Sequence, residues 1–171
     1  MSMYPRRMNL SAPARRGGFT IVEVMTVVAI AGVMMMIALP AMRDMITTQR
    51  VKSTSYDINA DLTYARAEAI GRGVDVVVAS AGASTNWQGG WTITETGGNT
   101  VLRKSDARGS DIAVTASSAT VTFERTGRAT AGSTVQFSIV PSTTSSLGDH
   151  QKRCLRLDPS GRVRIALGAC P

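Results

Sequence analysis

The hydrophobic and polar positions of this chain follow three periods in succession. Residues 19–39, FTIVEVMTVVAIAGVMMMIAL, are apolar at nearly every position, and the run matches the roughly 20 residues a helix needs to cross the hydrocarbon of a bilayer. Beyond Pro40 polar and apolar residues mix, and Ile58, Leu62, Ala65 and Ala69 form one helical stripe, so the helix is expected to continue to Gly71. Gly71 and Gly73 are its stop signals. From Val74 the pattern changes to short β-type runs at 74–78, 91–96, 112–114, 121–124, 135–139, 154–158 and 162–167. Gly89-Gly90, Gly97-Gly98 and Ser160-Gly161 separate several of them as turns, and residues 142–148 read as a polar loop. The expected class is α+β: one long N-terminal helix packed on a β-rich globular head, without an internal repeat.

Composition narrows this further. A chain of 171 residues and 18.1 kDa has length for one ordinary domain, which argues against a large multidomain enzyme. Hydrophobic residues at 43% against 18% charged make it too apolar for a disordered chain. The net charge of +7 and a pI near 10.2 invite a nucleic-acid or membrane-surface partner. That charge is concentrated at the two ends. The first segment holds Arg6, Arg7, Arg15 and Arg16 with no acid, and the tail from His150 holds Lys152, Arg153, Arg156, Arg162 and Arg164 against Asp158, leaving the body near neutral.

Arg15 and Arg16 precede the apolar run, so by the positive-inside rule the short leader stays cytoplasmic and the residues after Pro40 are exported. A cleaved secretory signal is the ordinary alternative, but Ala38-Leu39-Pro40-Ala41 is a poor cleavage site because of its proline. Glu23 also weighs against it, since a carboxylate inside a membrane segment costs about 2.5–3.5 kcal/mol and is seldom placed there without a partner. The sequence Arg16-Gly17-Gly18-Phe19-Thr20-Ile21-Val22-Glu23 resembles the processing motif of type IV prepilins. That resemblance implies cleavage after Gly18 by a prepilin peptidase, methylation of Phe19 as the new N-terminus, and pairing of Glu23 with the amine of a neighbouring subunit. A buried carboxylate and a buried ammonium are each costly alone and tolerable together. Pro40 falls where many pilins carry a helix-bending proline.

The body resembles the FimT/GspH family of minor pilins and pseudopilins over almost the entire mature chain. Residues 64–70, YARAEAI, are similar to the family's helix-ending segment, Trp87-Gln88-Gly89-Gly90-Trp91 to its WxxGW turn, and residues 121–128, VTFERTGR, to its F-x-x-x-G-R strand. These elements are read as structural: Ala65 and Ala69 permit close helix-to-sheet contact, the tryptophans anchor the core, and Gly127 turns the chain. The resemblance implies a type IV pilin-like fold with a leader at 1–18, a membrane or filament-core helix at 19–40, and a periplasmic head at 41–171. Within the head the helix runs to 71, the β-rich region spans 74–171 and the basic tail spans 150–171. The implied location is the bacterial inner membrane and then a pilus or pseudopilus, and the implied partners are other pilins or pseudopilins, contacted through the N-terminal helix.

Little in the sequence suggests catalysis or a cofactor. His150 is the only histidine and has no metal-ligand spacing around it, no serine sits in G-x-S-x-G, and Asp57 and Asp61 read as solvated carboxylates on a helix. Cys154 and Cys170 are the only cysteines, and in an exported head they are expected to form one structural disulfide rather than remain free thiols. Between them, Arg162 and Arg164 alternate with Val163, which would place both guanidinium groups on one face of a strand, with Arg156 across the hairpin and Lys152 and Arg153 nearby. Guanidinium groups grip phosphates bidentately. Gly161-Arg162-Val163-Arg164 resembles the GRxR motif of FimT-type pilins, which implies DNA binding during natural transformation. A solvated basic face is the competing reading. The tail has no aromatic residue for base stacking, so contacts to the phosphate backbone, without sequence preference, are what it could supply. A GspH-type pseudopilin that primes assembly without binding DNA, and a membrane-anchored domain that never polymerises, are the other candidates.

Overall fold

The computed structural model describes residues 18–97, 100–130, 134–142, 148 and 151–171. The expected leader with Arg15 and Arg16, most of the 142–148 loop and His150 lie outside the described residues. The chain divides into two compact units, Met1–Ala41 and Met42–Pro171, and one helix, α1 (Ile21–Arg72), contributes to both.

In the first unit α1 is apolar on all sides. Its residues are exposed except for half-buried Ala31, and Glu23 is the only charged residue between 21 and 39. A helix apolar all round has no solvent face, the pattern of a membrane span, and this helix is long and apolar enough to cross one. The side chains of Pro40 and Ala41 are not among those described.

In the second unit α1 is amphipathic. Ile58, Leu62, Ala65 and Ala69 are buried as the stripe predicted, and Val51, Thr54 and Ser55 extend it by two turns. The helix ends at Arg72, where the Gly73 N–H donates to the Ala69 carbonyl at 3.0 Å, a C-terminal cap. Eight strands follow: β1 (Val76–Ser80), β2 (Trp91–Glu95), β3 (Val101–Ser105), β4 (Ile112–Ala116), β5 (Thr120–Phe123), β6 (Val135–Pro141), β7 (Arg153–Leu157) and β8 (Val163–Leu167). They form two antiparallel sheets, ordered β3-β2-β1-β5 and β4-β6-β7-β8. The buried face of α1 and both sheets share one core, with Trp87, Trp91, Phe123 and Phe137 its largest members. Trp87 meets Phe137 edge to face at 4.9 Å and donates its indole N–H to the Ser118 carbonyl, which satisfies the polar end of a buried ring.

Three expectations are corrected. Strand β3 is absent from the predicted set because VLRKS sits at a sheet edge with no residue fully buried, so no alternation marks it. Residues 74 and 75 precede β1: the Asp75 carboxylate accepts the Arg125 N–H and its carbonyl accepts the Thr96 N–H, which ties this segment to neighbouring loops. Asp61 is buried instead of solvated, accepting hydrogen bonds from Trp91 Nε1 and Arg103, each at 2.8 Å. Arg103 stacks over Tyr64, and Arg108 bonds Asp57 and stacks over Trp91. The Asp61 carboxylate holds the Arg103 guanidinium above its ordinary pKa.

Candidate functional site

The tail forms the hairpin β7–β8. Asp158 and Arg162 close its turn, with the Asp158 N–H donating to the Arg162 carbonyl at 2.9 Å and the Gly161 N–H to the Asp158 carbonyl at 2.8 Å. Gly161 has φ +76°, and a Cβ there would lie 2.2 Å from the Gly127 carbonyl oxygen, so both the backbone conformation and the close approach require glycine.

Arg156 and Arg164 are direct cross-strand partners and both are exposed. Cross-strand neighbours share a sheet face at about 5 Å between Cβ atoms, so two like charges sit side by side on the surface opposite Leu155 and Leu157. Asp158 partly offsets them, lying 3.5 Å from Arg164. Arg162 sits one residue before β8, exposed at the end of the turn rather than inside the strand. Val163 packs against the core, as the alternation required.

The other two basic residues are placed differently. Arg153 pairs with Leu167 and shares strand parity with Leu155 and Leu157, so it belongs to the opposite face from Arg156 and Arg164, where it is half-buried and donates to the Lys152 carbonyl. Lys152 is half-buried at the open end of the hairpin, its carbonyl accepting the Gly168 N–H at 3.0 Å. The geometry therefore brings together Arg156, Arg162 and Arg164, and separates Lys152 and Arg153 from them.

Cys154 and Cys170 are joined by a disulfide with Cα atoms 5.1 Å apart. Cys154 pairs with Ala166 one step along the same sheet face as the Arg156–Arg164 pair, so the bond ties the C-terminus beside the arginines. A loop of this length is worth about 3 kcal/mol in the chain-entropy picture, enough to hold a terminal segment that would otherwise fray.

At the other end, Gly18, Phe19 and Thr20 precede α1. The Glu23 N–H bonds Thr20 Oγ1 at 3.3 Å, and Glu23 occupies the first helical turn. Thr20-x-x-Glu23 is the spacing of a capping box, a signal already present in the sequence. A carboxylate there also complements the helix dipole. Among the described residues Glu23 has no ion-pair partner. No group of three potential metal ligands occurs among them either.

Two known families match stretches of this chain. The family described as type II transport protein GspH matches residues 55–161, and the prokaryotic N-terminal methylation motif matches residues 13–39. No curated protein matches the chain. The crystal structure of the type IV minor pilin FimU of Pseudomonas aeruginosa, strain PAO1, in space group P21 is 22% identical, with a TM-score of 0.59 over 69% of this chain and 89% of that one. The P65 form gives 0.56 at 22% identity, over 67% and 91%. At that identity the likeness speaks for the fold: one long helix with an antiparallel β head. The apolar helix and the family match together make the chain an inner-membrane-anchored, pilus-type subunit that assembles with other pilins or pseudopilins. With its head matched over residues 55–161 and its helix headed by the methylation motif, the chain belongs to the GspH family and is a type IV minor pilin or pseudopilin.

Proposed function

We propose that this chain is a minor pilin of FimT type that binds DNA without sequence preference through the β7–β8 hairpin during natural transformation. A prepilin peptidase cuts after Gly18 and methylates Phe19, the head faces the periplasm, and Glu23 pairs with a neighbouring subunit's amine as the helices enter the filament. The observation that carries the DNA reading is the exposed Arg156–Arg164 cross-strand pair with Arg162 at its turn, presented by a disulfide-tied hairpin on an otherwise near-neutral body. Backbone contacts of this kind fix position and carry no base information.

The test uses the full chain in detergent and duplexes of unrelated sequence, with affinity measured across salt concentrations. Each phosphate contact adds about 0.9 to the slope of log affinity against log salt, so Arg162→Gln with Arg164→Gln is expected to lower it by about 2. Arg103 and Arg108 are unsuitable controls because they hold Asp61 and Asp57. Lys52→Gln with Lys104→Gln removes the same charge from exposed positions elsewhere and is expected to leave the slope unchanged. Equal losses in the two double variants, or no binding at low salt, would favour a second reading supported by the family description: a type II secretion pseudopilin that primes assembly without touching DNA.

A further inference from the structure

The F-x-x-x-G-R turn lies directly against the hairpin turn. The Ala129 N–H donates to the Pro159 carbonyl at 3.0 Å. The Gly127 carbonyl oxygen is the nearest atom to the space a Gly161 Cβ would occupy, at 2.2 Å. Arg66, from the helix segment YARAEAI, runs between the two turns: Nη1 donates to the Gly161 carbonyl at 3.0 Å, and Nε lies 3.2 Å from the Cβ position of Gly127. Three motifs far apart in sequence thus meet at one point, and the two glycines are the residues whose missing side chains let them meet.

Arg128 sits between the two residues of its turn that touch the hairpin, and it is exposed. Arg162 directly follows Gly161 and is exposed too. With consecutive Cα atoms 3.8 Å apart, one step on each side of the Gly127–Gly161 contact puts the two Cα atoms within roughly 14 Å. A span of that size is bridged by a few phosphates of one duplex strand, whose charges advance about 3.4 Å each along the axis and lie farther apart along the backbone. The side chains of Arg128, Arg156 and Arg162 have no acidic partner among the described residues. The acids of the two turns are otherwise directed: Glu124 accepts from Thr126 Oγ1, and Asp158 faces Arg164. Arg66 adds a half-buried cation behind the contact, and among the described residues it forms no ion pair.

We infer that the phosphate-binding surface is composite, with Arg128 on the F-x-x-x-G-R turn as a further DNA-contacting residue beside the hairpin arginines. The inference rests on the DNA reading above and extends it from one hairpin to two turns. In it a duplex strand runs across the Gly127–Gly161 seam and meets Arg128 on one side and Arg162, Arg164 and Arg156 on the other. The glycine turn and the tail hairpin then form one recognition element.

The experiment measures duplex binding by the full chain in detergent across salt, with Arg128→Gln, Arg128→Lys, Arg162→Gln/Arg164→Gln and Lys104→Gln. Arg128→Gln is expected to lower the slope by about 0.9 and weaken binding several-fold at about 0.1 M salt. Arg128→Lys should restore the slope because the charge is kept, and Lys104→Gln should not move it. If Arg128→Gln keeps the wild-type slope while Arg162→Gln/Arg164→Gln lowers it, the composite surface is overturned and the hairpin reading stands. If Arg128→Gln and Lys104→Gln lower the slope equally, the attraction is general and the composite surface is overturned as well. A wild-type chain that shows no salt-dependent binding overturns both readings. All four variants change exposed side chains, so thermal denaturation at wild-type temperature is the accompanying check that the head remains folded.

Discussion

Trp91 donates its indole N–H to the Asp61 carboxylate at 2.8 Å, inside the core of the head. This one bond satisfies the polar edge of a large buried ring with an acid from α1, and Arg103 closes the same carboxylate from the sheet edge at 2.8 Å. Removing the acid leaves a buried donor without a partner, which costs about 1–3 kcal/mol. Asp61→Ala is therefore expected to lower head stability by that amount in chemical denaturation, whereas Asp57→Ala, whose carboxylate is far more exposed, should cost clearly less. Equal effects would show that the Trp91 bond does not distinguish the two acids.

The hairpin turn depends on glycine for two reasons at once, a left-handed φ and contact with the Gly127 carbonyl. Gly161→Ala should destabilise the head by at least about 1–3 kcal/mol from the backbone strain alone. A variant as stable as wild type would mean that the two turns separate freely.

Asp158 lies 3.5 Å from Arg164 and offsets part of its charge. The turn's hydrogen bonds use only the Asp158 backbone, so Asp158→Asn keeps the turn and removes the charge. If the hairpin binds DNA, this variant should bind duplexes more tightly, with a steeper salt dependence. Unchanged affinity in Asp158→Asn would separate Arg164 from the binding surface.

The Cys154–Cys170 bond closes a separation of 16 residues at the end of the chain. A thiol assay on unreduced protein is expected to find neither cysteine titratable, and reduction should lower stability by about 3 kcal/mol. Two reactive thiols in freshly isolated protein would contradict the pairing.

Processing is tested in cells. Mass spectrometry of membrane-extracted protein is expected to show a chain beginning at Phe19 with a methylated amine. Glu23→Ala should leave the head folded but reduce its incorporation into filaments, since Glu23 is not among the residues of the head's core. An intact leader or a cut near Ala41 would refute the processing scheme.

How much of this protein was legible in its sequence follows from how local each signal is. The apolar run at 19–39, the stripe Ile58–Leu62–Ala65–Ala69 and the strands with a buried face depend on a period that a few neighbouring residues display. The placing of Arg156 across the hairpin from Arg162 and Arg164 was legible too, because a short turn at Pro159-Ser160-Gly161 leaves the register little freedom, whereas its direct pairing with Arg164 came from the sheet register. Strand β3 was not, since in VLRKS only Leu102 packs against the core and no alternation marks the run. Nor was the burial of Asp61: in sequence it is one more helical carboxylate, and only the arrival of Trp91 and Arg103 from a different sheet strand each makes its desolvation tolerable. Arg153 reads as part of one basic cluster until strand pleat assigns it to the face opposite Arg156. The meeting of Arg66, Gly127 and Gly161 was likewise decided by tertiary structure alone, because contacts between residues this distant in the chain depend on how α1 and both sheets close over a shared core, a relation that no local period encodes.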